Sequence, residues 1–416
     1  VVKFAGIQNP YMVGDYGVEK NAKVLHRYRY IHEKLLFIQA AHLPAREDWD
    51  LKSALGKHLY EDAEAADQLR KRLAQLRTAL PVINRDPDPS LTLLMDELIH
   101  ANNDLELTIG IYDVIKPALI VTYKKHLTKT QQIVDQPTIR ILKGILADLE
   151  DQVEWGREMI KEIQEAHIYP DTNGQFMEKL TSFLRAAGGI DGLEDKTTDL
   201  PRRFRSHQEF QLPLHSKRDP RKMGPCTLIR TGVPSPSEDP IEARLQDMMR
   251  IRQEEMTAAE LLAGVIYIQK NMPWEFYFDL ARHLWDEVRH SLFGQAALEA
   301  EGIDWMSQPQ YTSDYDINAQ KLPGAQYTWL SIGIEEGAMT KTGKRAEYEF
   351  CRDQAKHPLM AQFQDYDWAD EIVHAGFGRK WTPDLIGEDI EFVREVAKKE
   401  LDHFWEEIHI ASAHKY

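Results

Sequence analysis

The chain has 416 residues, and with 43% of them hydrophobic it can build two or three domains, each with its own core. A formal net charge of −16 argues against a chain that wraps nucleic acid, and two cysteines, Cys226 and Cys351, exclude a disulfide framework or a four-cysteine metal centre. Apolar runs such as "LLAGVIYI" (261–268) fall far short of the roughly 20 residues a bilayer crossing needs, and the absence of a charged-then-apolar leader leads us to expect a cytoplasmic, non-membrane protein.

From residue 1 to 190, helical periodicity dominates and the Val/Ile/Thr alternation of strands is nearly absent, so an all-α fold is predicted. Residues 191–240 form a Pro-rich, basic linker that contains Pro201, Pro213, Pro220, Pro225, Pro234, Pro236 and Pro240. Its stretch "PRRFRSHQEFQLPLHSKRDPRKMG" (201–224) is basic inside an acidic chain, and docking on acidic helices explains it better than nucleic-acid binding.

Residues 241–416 make a second helical domain. There "MTAAELLAGVIYIQ" embeds Glu260 in an apolar run, where an unpaired buried carboxylate costs several kcal/mol, so Glu260 must find a cation. Next, Pro273 opens and Gly302 closes one long predicted helix with "WDEVRH" (285–290) at its middle. The run "YTWLSIGIEEGAM" supplies Glu335 and Glu336, between which helical spacing does not choose. "ADEIVH" (369–374) then repeats the earlier arrangement.

Glu-x-x-His puts both side chains on one helix face, where they can reach one metal ion. The pattern occurs at Glu97/His100, Glu287/His290, Glu371/His374, Glu400/His403 and Glu406/His409, so context must select. A di-metal bundle takes Glu-x-x-His from two helices and one inward glutamate from each of two others. Only Glu287/His290 and Glu371/His374 have such partners, in Glu260 and in Glu335 or Glu336, and the other three pairs are expected to be solvated surface. Asp286 and Asp370, beside the two motifs, are candidates to accept the outer N–H of the histidines. Carboxylates with two imidazoles suit iron or manganese better than copper.

The two halves also match each other in order. "HLYEDAEAAD" (58–67) resembles "HLWDEVRHSL" (283–292), "TIGIYD" (108–113) resembles "SIGIEE" (331–336), and "EDQVEWG" (150–156) resembles "DEIVHAG" (370–376). This predicts diverged copies of one helical bundle. Carried across, Glu287 corresponds to Asp62, His290 to Ala65, Glu335 to Tyr112, Glu371 to Asp151 and His374 to Glu154. Both histidines are lost, so the first copy is expected to lack a metal site.

Glu260, "DEVRH" (286–290), "IEE" (334–336) and "DEIVH" (370–374) together resemble the ferritin-like superfamily of di-iron and di-manganese carboxylate proteins. Asp-Glu-x-Arg-His resembles the hydroxylase subunits of bacterial multicomponent monooxygenases, and residues of about 240–380 are similar to a bacterial ferritin-like family of unknown function. The resemblance implies two ferritin-like helical bundles joined by a long linker, the first a degenerate copy. It favours Glu335 over Glu336, and so a ligand set of Glu260, Glu287, His290, Glu335, Glu371 and His374. It implies two iron ions, or manganese or a mixed pair, that activate O2 to oxidise a small organic substrate. An electron-donor protein and a homodimer are compatible with that reading. Ferroxidase or iron handling, manganese-catalase chemistry and a metal-stabilised binding module are the alternatives.

Overall fold

In the computed structural model, which describes residues 3–166, 169, 173–196, 201–223, 226–228 and 237–413, the predicted periodicity folds as helix. The fold is all-α. The principal helices are α1 (Val18–His42), α2 (Trp49–Gln75), α3 (Pro89–Leu98), α4 (Asp104–Thr108), α5 (Lys116–Lys129), α6 (Gln136–Glu165), α7 (Asn173–Ala186), α8 (Pro240–Gln253), α9 (Met256–Ile268), α10 (Trp274–Ala300), α11 (Pro323–Thr328), α12 (Lys344–Glu349), α13 (Pro358–Ile386) and α14 (Ile390–Ala413). Among the described residues the extended structure is one two-residue parallel pair, Cys226–Thr227 against Gln310–Tyr311. No helix of the described residues is long and apolar enough to cross a membrane.

The chain divides into two compact units. The first comprises Val1–Ile38 and Glu61–Gln211, the second Gln39–Tyr60 and Leu212–Tyr416. The stretch expected to be a linker is therefore divided at Gln211, and Arg203, Arg205, Arg218 and Arg221 within it are held by acids. In the first unit Arg205 donates to both oxygens of Glu106 at 2.6 and 2.9 Å, and in the second Arg218 donates to both oxygens of Glu260.

At the centre of the first unit lies Asp62, from α2. It is bound by His32 Nδ1 at 2.7 Å and by Lys116 Nζ at 3.0 Å, and Lys116 also donates to Gln152 Oε1. Lys116 is fully buried, so these acceptors replace the water it gives up. Asp151 and Glu154, the counterparts expected for Glu371 and His374, are exposed, and Gln152 turns inward instead. Pairing Gly156 with Gly378 rather than with Gly376 puts Gln152 opposite His374. Both glycines sit where a Cβ would run into a π-helical turn, Gly156 against Tyr112 and Gly378 against Ser331. The matching segments "TIGIYD" and "SIGIEE" fall largely within those two turns, Ile109–Ile115 and Trp329–Glu336.

In the second unit α9 is buried on every side from Met256 to Tyr267, as a composition apolar but for Thr257 and Glu260 dictates for a central helix. Helix α10 starts after Pro273 and ends at Gly302, whose φ of 71° lets the amide of Ile303 turn back to the carbonyl of Leu298 at 2.9 Å. Its Leu280, Leu284 and Val288 are fully buried, each contributing roughly 1.5–3 kcal/mol of apolar burial. The chain of α8 approaches α10 closely because Gly294 has no Cβ to strike the backbone of Gln253.

Candidate metal centre

Three elements and one helix junction converge in the second unit. Helix α10 presents His283, Glu287 and His290, spaced four and three residues apart on one face, and α13 presents Asp367, Glu371 and His374 with the same spacing. The π-helical turn Trp329–Glu336 supplies Glu335, and the break between α8 and α9 supplies Glu255. Their donor atoms fall into two groups, each within 4.8 Å: His283, Glu287, Glu335 and His374 in the first, Glu255, His290, Asp367 and Glu371 in the second.

In the first group His283 Nε2 lies 2.7 Å from Glu335 Oε1 and 3.7 Å from Glu287 Oε1, and His374 Nδ1 lies 3.3 Å from Glu287 Oε1. The rings of His283 and His374 stack at 3.9 Å. Burial, and then the neighbouring His374, push His283 down to about 3, which leaves it a neutral imidazole. Burial, with the charge of Glu371 nearby, also raises Glu287 and Glu335, and among the described residues no lysine or arginine pairs with either carboxylate.

The second group differs in charge. His290 Nδ1 is 3.3 Å from Glu255 Oε2 and 3.5 Å from Asp367 Oδ1. Lys344 donates to Asp367 at 2.9 and 3.0 Å and pairs with Glu371 at 3.0 Å, while Arg252 pairs with Glu255 and Asp367 at 2.8 and 2.5 Å. Although burial opposes it, Arg252 and Lys344 hold Asp367 well below the usual carboxylate range.

Asp286 and Asp370 serve the opposite helix. His374 Nε2 donates to Asp286 at 3.2 Å and His290 Nε2 to Asp370 at 3.3 Å, each across from α13 to α10 or the reverse. Carboxylates only accept, so both outer nitrogens carry the hydrogen and both Nδ1 atoms face inward. Burial alone would lower His290, but Asp370, Glu255 and the charges of Asp367 and Glu287 push it up to about 10. Arg289 bridges the two aspartates and Arg282 adds to Asp286 at 2.7 Å, fixing the pair in place.

Of the residues expected as ligands, Glu287, His290, Glu335, Glu371 and His374 come together here. Of the two glutamates between which spacing did not choose, Glu335 lies in the first group while Glu336 pairs with Arg379 and Arg394. Glu260 does not join them. Its carboxylate, wholly buried, pairs with Lys52 and with Arg218 at 2.8 Å, so the cation it needs is protein-borne. Glu255, one turn and a residue earlier at the helix junction, stands at the centre instead. His283 and Asp367 were not singled out by the Glu-x-x-His pattern, although each lies four residues before its glutamate, on the same face.

The remaining Glu-x-x-His pairs do not form centres. Glu97, expected to be solvated, is buried and accepts the backbone amides of Phe204 and Arg205 at 2.7 and 2.8 Å. Glu400 pairs with Lys321, and His403, Glu406 and His409 are exposed.

The donor set fits metal ions on an observation independent of any resemblance. Six of these donor atoms are buried and make no hydrogen bond among the described residues: His374 Nδ1 with Glu287 Oε1, and His290 Nδ1 with Glu255 Oε2, stand only at ion-pair distance, 3.3 Å, and Glu335 Oε2 and Glu371 Oε2 have no partner. Buried polar atoms of this kind are rare and each costs about 1–3 kcal/mol unless something fills the space between them. A cavity of about 500 Å³ adjoins both groups. Glu287, Glu335, Glu371 and Lys344 form part of its wall, and Trp329, Leu330 and Phe404 line it with apolar surface. No protein-family model, curated protein or solved structure matches the chain.

Proposed function

We propose that the second unit is an oxidoreductase of the ferritin-like di-metal kind, which uses iron, or manganese in its place, and O2 to oxidise a small organic molecule held in the adjoining cavity. The observation that carries this reading is the convergence of buried imidazole and carboxylate donor atoms, without hydrogen bonds between them, from α10, α13, the π-helical turn and Glu255. His283, Glu287, Glu335 and His374 would hold one ion, and Glu255, His290, Asp367 and Glu371 another. Bound iron would supply the electrons for reaction with O2, chemistry that no protein side chain here offers.

The protein's own share of the work is positional. Asp286 and Asp370 hold the two imidazoles in one tautomer with Nδ1 inward, and Arg282 and Arg289 hold the aspartates. Trp329, Leu330, Ile334 and Phe404 make a wall that favours an apolar substrate and limits water at the carboxylates. The buried indole N–H of Trp329 has no partner and is available to an acceptor on that substrate. A cavity at the donor groups supports catalysis over a purely structural metal site, which has no use for one.

Elemental analysis of the purified protein, followed by oxygen-electrode measurements on the iron-loaded, reduced protein, tests the reading. Stoichiometric metal and oxygen uptake that Glu287→Ala and Glu371→Ala both abolish are expected. Undiminished uptake in both variants would overturn it.

A further inference from the structure

We infer that the two ion positions are unequal: the first takes a divalent transition-metal ion directly, whereas the second already holds the ammonium of Lys344 and takes a metal only by displacing it. The inference rests on the metal-centre reading above and adds an order of occupation to it.

Charge separates the two positions. In the first, Glu287 and Glu335 face the imidazoles of His283 and His374, and among the described residues no lysine or arginine is paired to either carboxylate, so an entering ion has no ammonium or guanidinium to displace. In the second, the three carboxylates of Glu255, Asp367 and Glu371 meet two permanent cations, Lys344 and Arg252, as well as His290. A metal entering there gains less attraction and must also break existing charge-assisted bonds.

Geometry places the ammonium between the ligands of the second group. Lys344 Nζ reaches both oxygens of Asp367 and one oxygen of Glu371 at 2.9–3.0 Å, so it already satisfies carboxylates that an ion in this group would share. The first unit supplies a parallel within the same chain. There Lys116, fully buried, donates to Asp62, the counterpart of Glu287, and to Gln152, the counterpart of His374 in the glycine-matched register. Twice, then, a lysine is buried at the heart of a helical unit on an inward carboxylate.

Displacement has a route. Lys344 is the first residue of α12, directly after Gly343, and its side chain is part of the wall of the cavity of about 500 Å³. On leaving Asp367 and Glu371 the ammonium can enter that cavity, where Glu347 also lines the wall, without crossing the apolar core. The first position, with two imidazoles, selects later first-row ions more strongly than the second, with one.

The test is equilibrium dialysis of the full-length, metal-stripped protein against Fe²⁺ without oxygen, with iron counted by elemental analysis, for wild type, Lys344→Met and Lys344→Gln. In wild type one equivalent should bind at least about tenfold more tightly than the second. Either variant should tighten the second equivalent at least about tenfold and leave the first unchanged, and the Gln variant serves if the Met variant fails to fold. Two equivalents of equal affinity in wild type, or a second affinity unmoved in the folded variants, would overturn the inference while leaving the metal centre standing. Failure of folded wild-type protein to retain any iron would instead overturn the metal-centre reading, and the inference with it.

Discussion

Replacing Glu260 by glutamine separates a structural ion pair from a metal ligand. Glu260 is wholly buried in α9, its two oxygens accept from Arg218 Nη1 at 2.8 and 2.9 Å, and Lys52, itself only 2% exposed, donates to it and to the carbonyl of Lys217. Glutamine keeps the shape but removes the charge, so Lys52 stays buried facing an amide. Breaking a buried pair from one side costs about 3–5 kcal/mol. At about 2–4 °C per kcal/mol for a domain of this size, the melting transition should fall by roughly 6–20 °C. Adding Lys52→Met removes the stranded charge and should recover a large part of the loss, a coupling that a double-mutant cycle reads directly. Calorimetry measures the transition and elemental analysis the iron retained. Full metal content with a lowered transition is expected. A Glu260→Gln protein that melts like wild type but loses iron would instead make Glu260 a ligand.

His283→Gln can still hydrogen-bond Glu335 but offers no imidazole nitrogen, so iron affinity at the first position should fall at least about tenfold with helicity unchanged, measured by dialysis and circular dichroism. Gly294→Val would drive a side chain into the backbone of Gln253, two residues before Glu255; a loss of about 1–3 kcal/mol in chemical denaturation, with weaker binding of the second ion, is the expected result. Asp135 in the first unit is set by two opposed effects: burial would raise it, but hydrogen bonds from His126, Thr130, Thr138 and Arg72 bring it to about 2. Its folded value lies below its unfolded value, so the stability it gives is present above about pH 4 and is lost as pH falls toward 2. The stability difference between wild type and Asp135→Asn should therefore shrink across that interval, and a constant difference would contradict the assignment.

The helices and the two motifs were legible because their signals are local. Proline and glycine bracket α10, and a three-residue spacing puts Glu287 with His290 and Glu371 with His374 on single faces whatever surrounds them. Glu335 against Glu336 was not legible from spacing, since the π-helical turn changes which side chain faces inward. The partner of Glu260 was beyond reach for another reason. Burial of its charge could be inferred from the apolar run, but whether a metal or a lysine compensates depends on Lys52, which only tertiary packing brings to it. Glu255 carries no periodic signal, because it sits at a break between helices, whereas His283 and Asp367 extend the motif by one turn in plain view. Glu97 shows the same limit at the surface: backbone amides from residues 204–206 bury a glutamate that its own helix would leave in water.

On the reading proposed above, side chains of the second unit hold metal at one defined place. Anomalous diffraction at the iron absorption edge, from crystals grown with Fe²⁺ in the absence of oxygen, tests it most directly. A peak enclosed by His283, Glu287, Glu335 and His374, stronger than any peak beside Asp367 and Glu371, is expected. Absence of density among those four side chains, or a peak at Glu260, would contradict it.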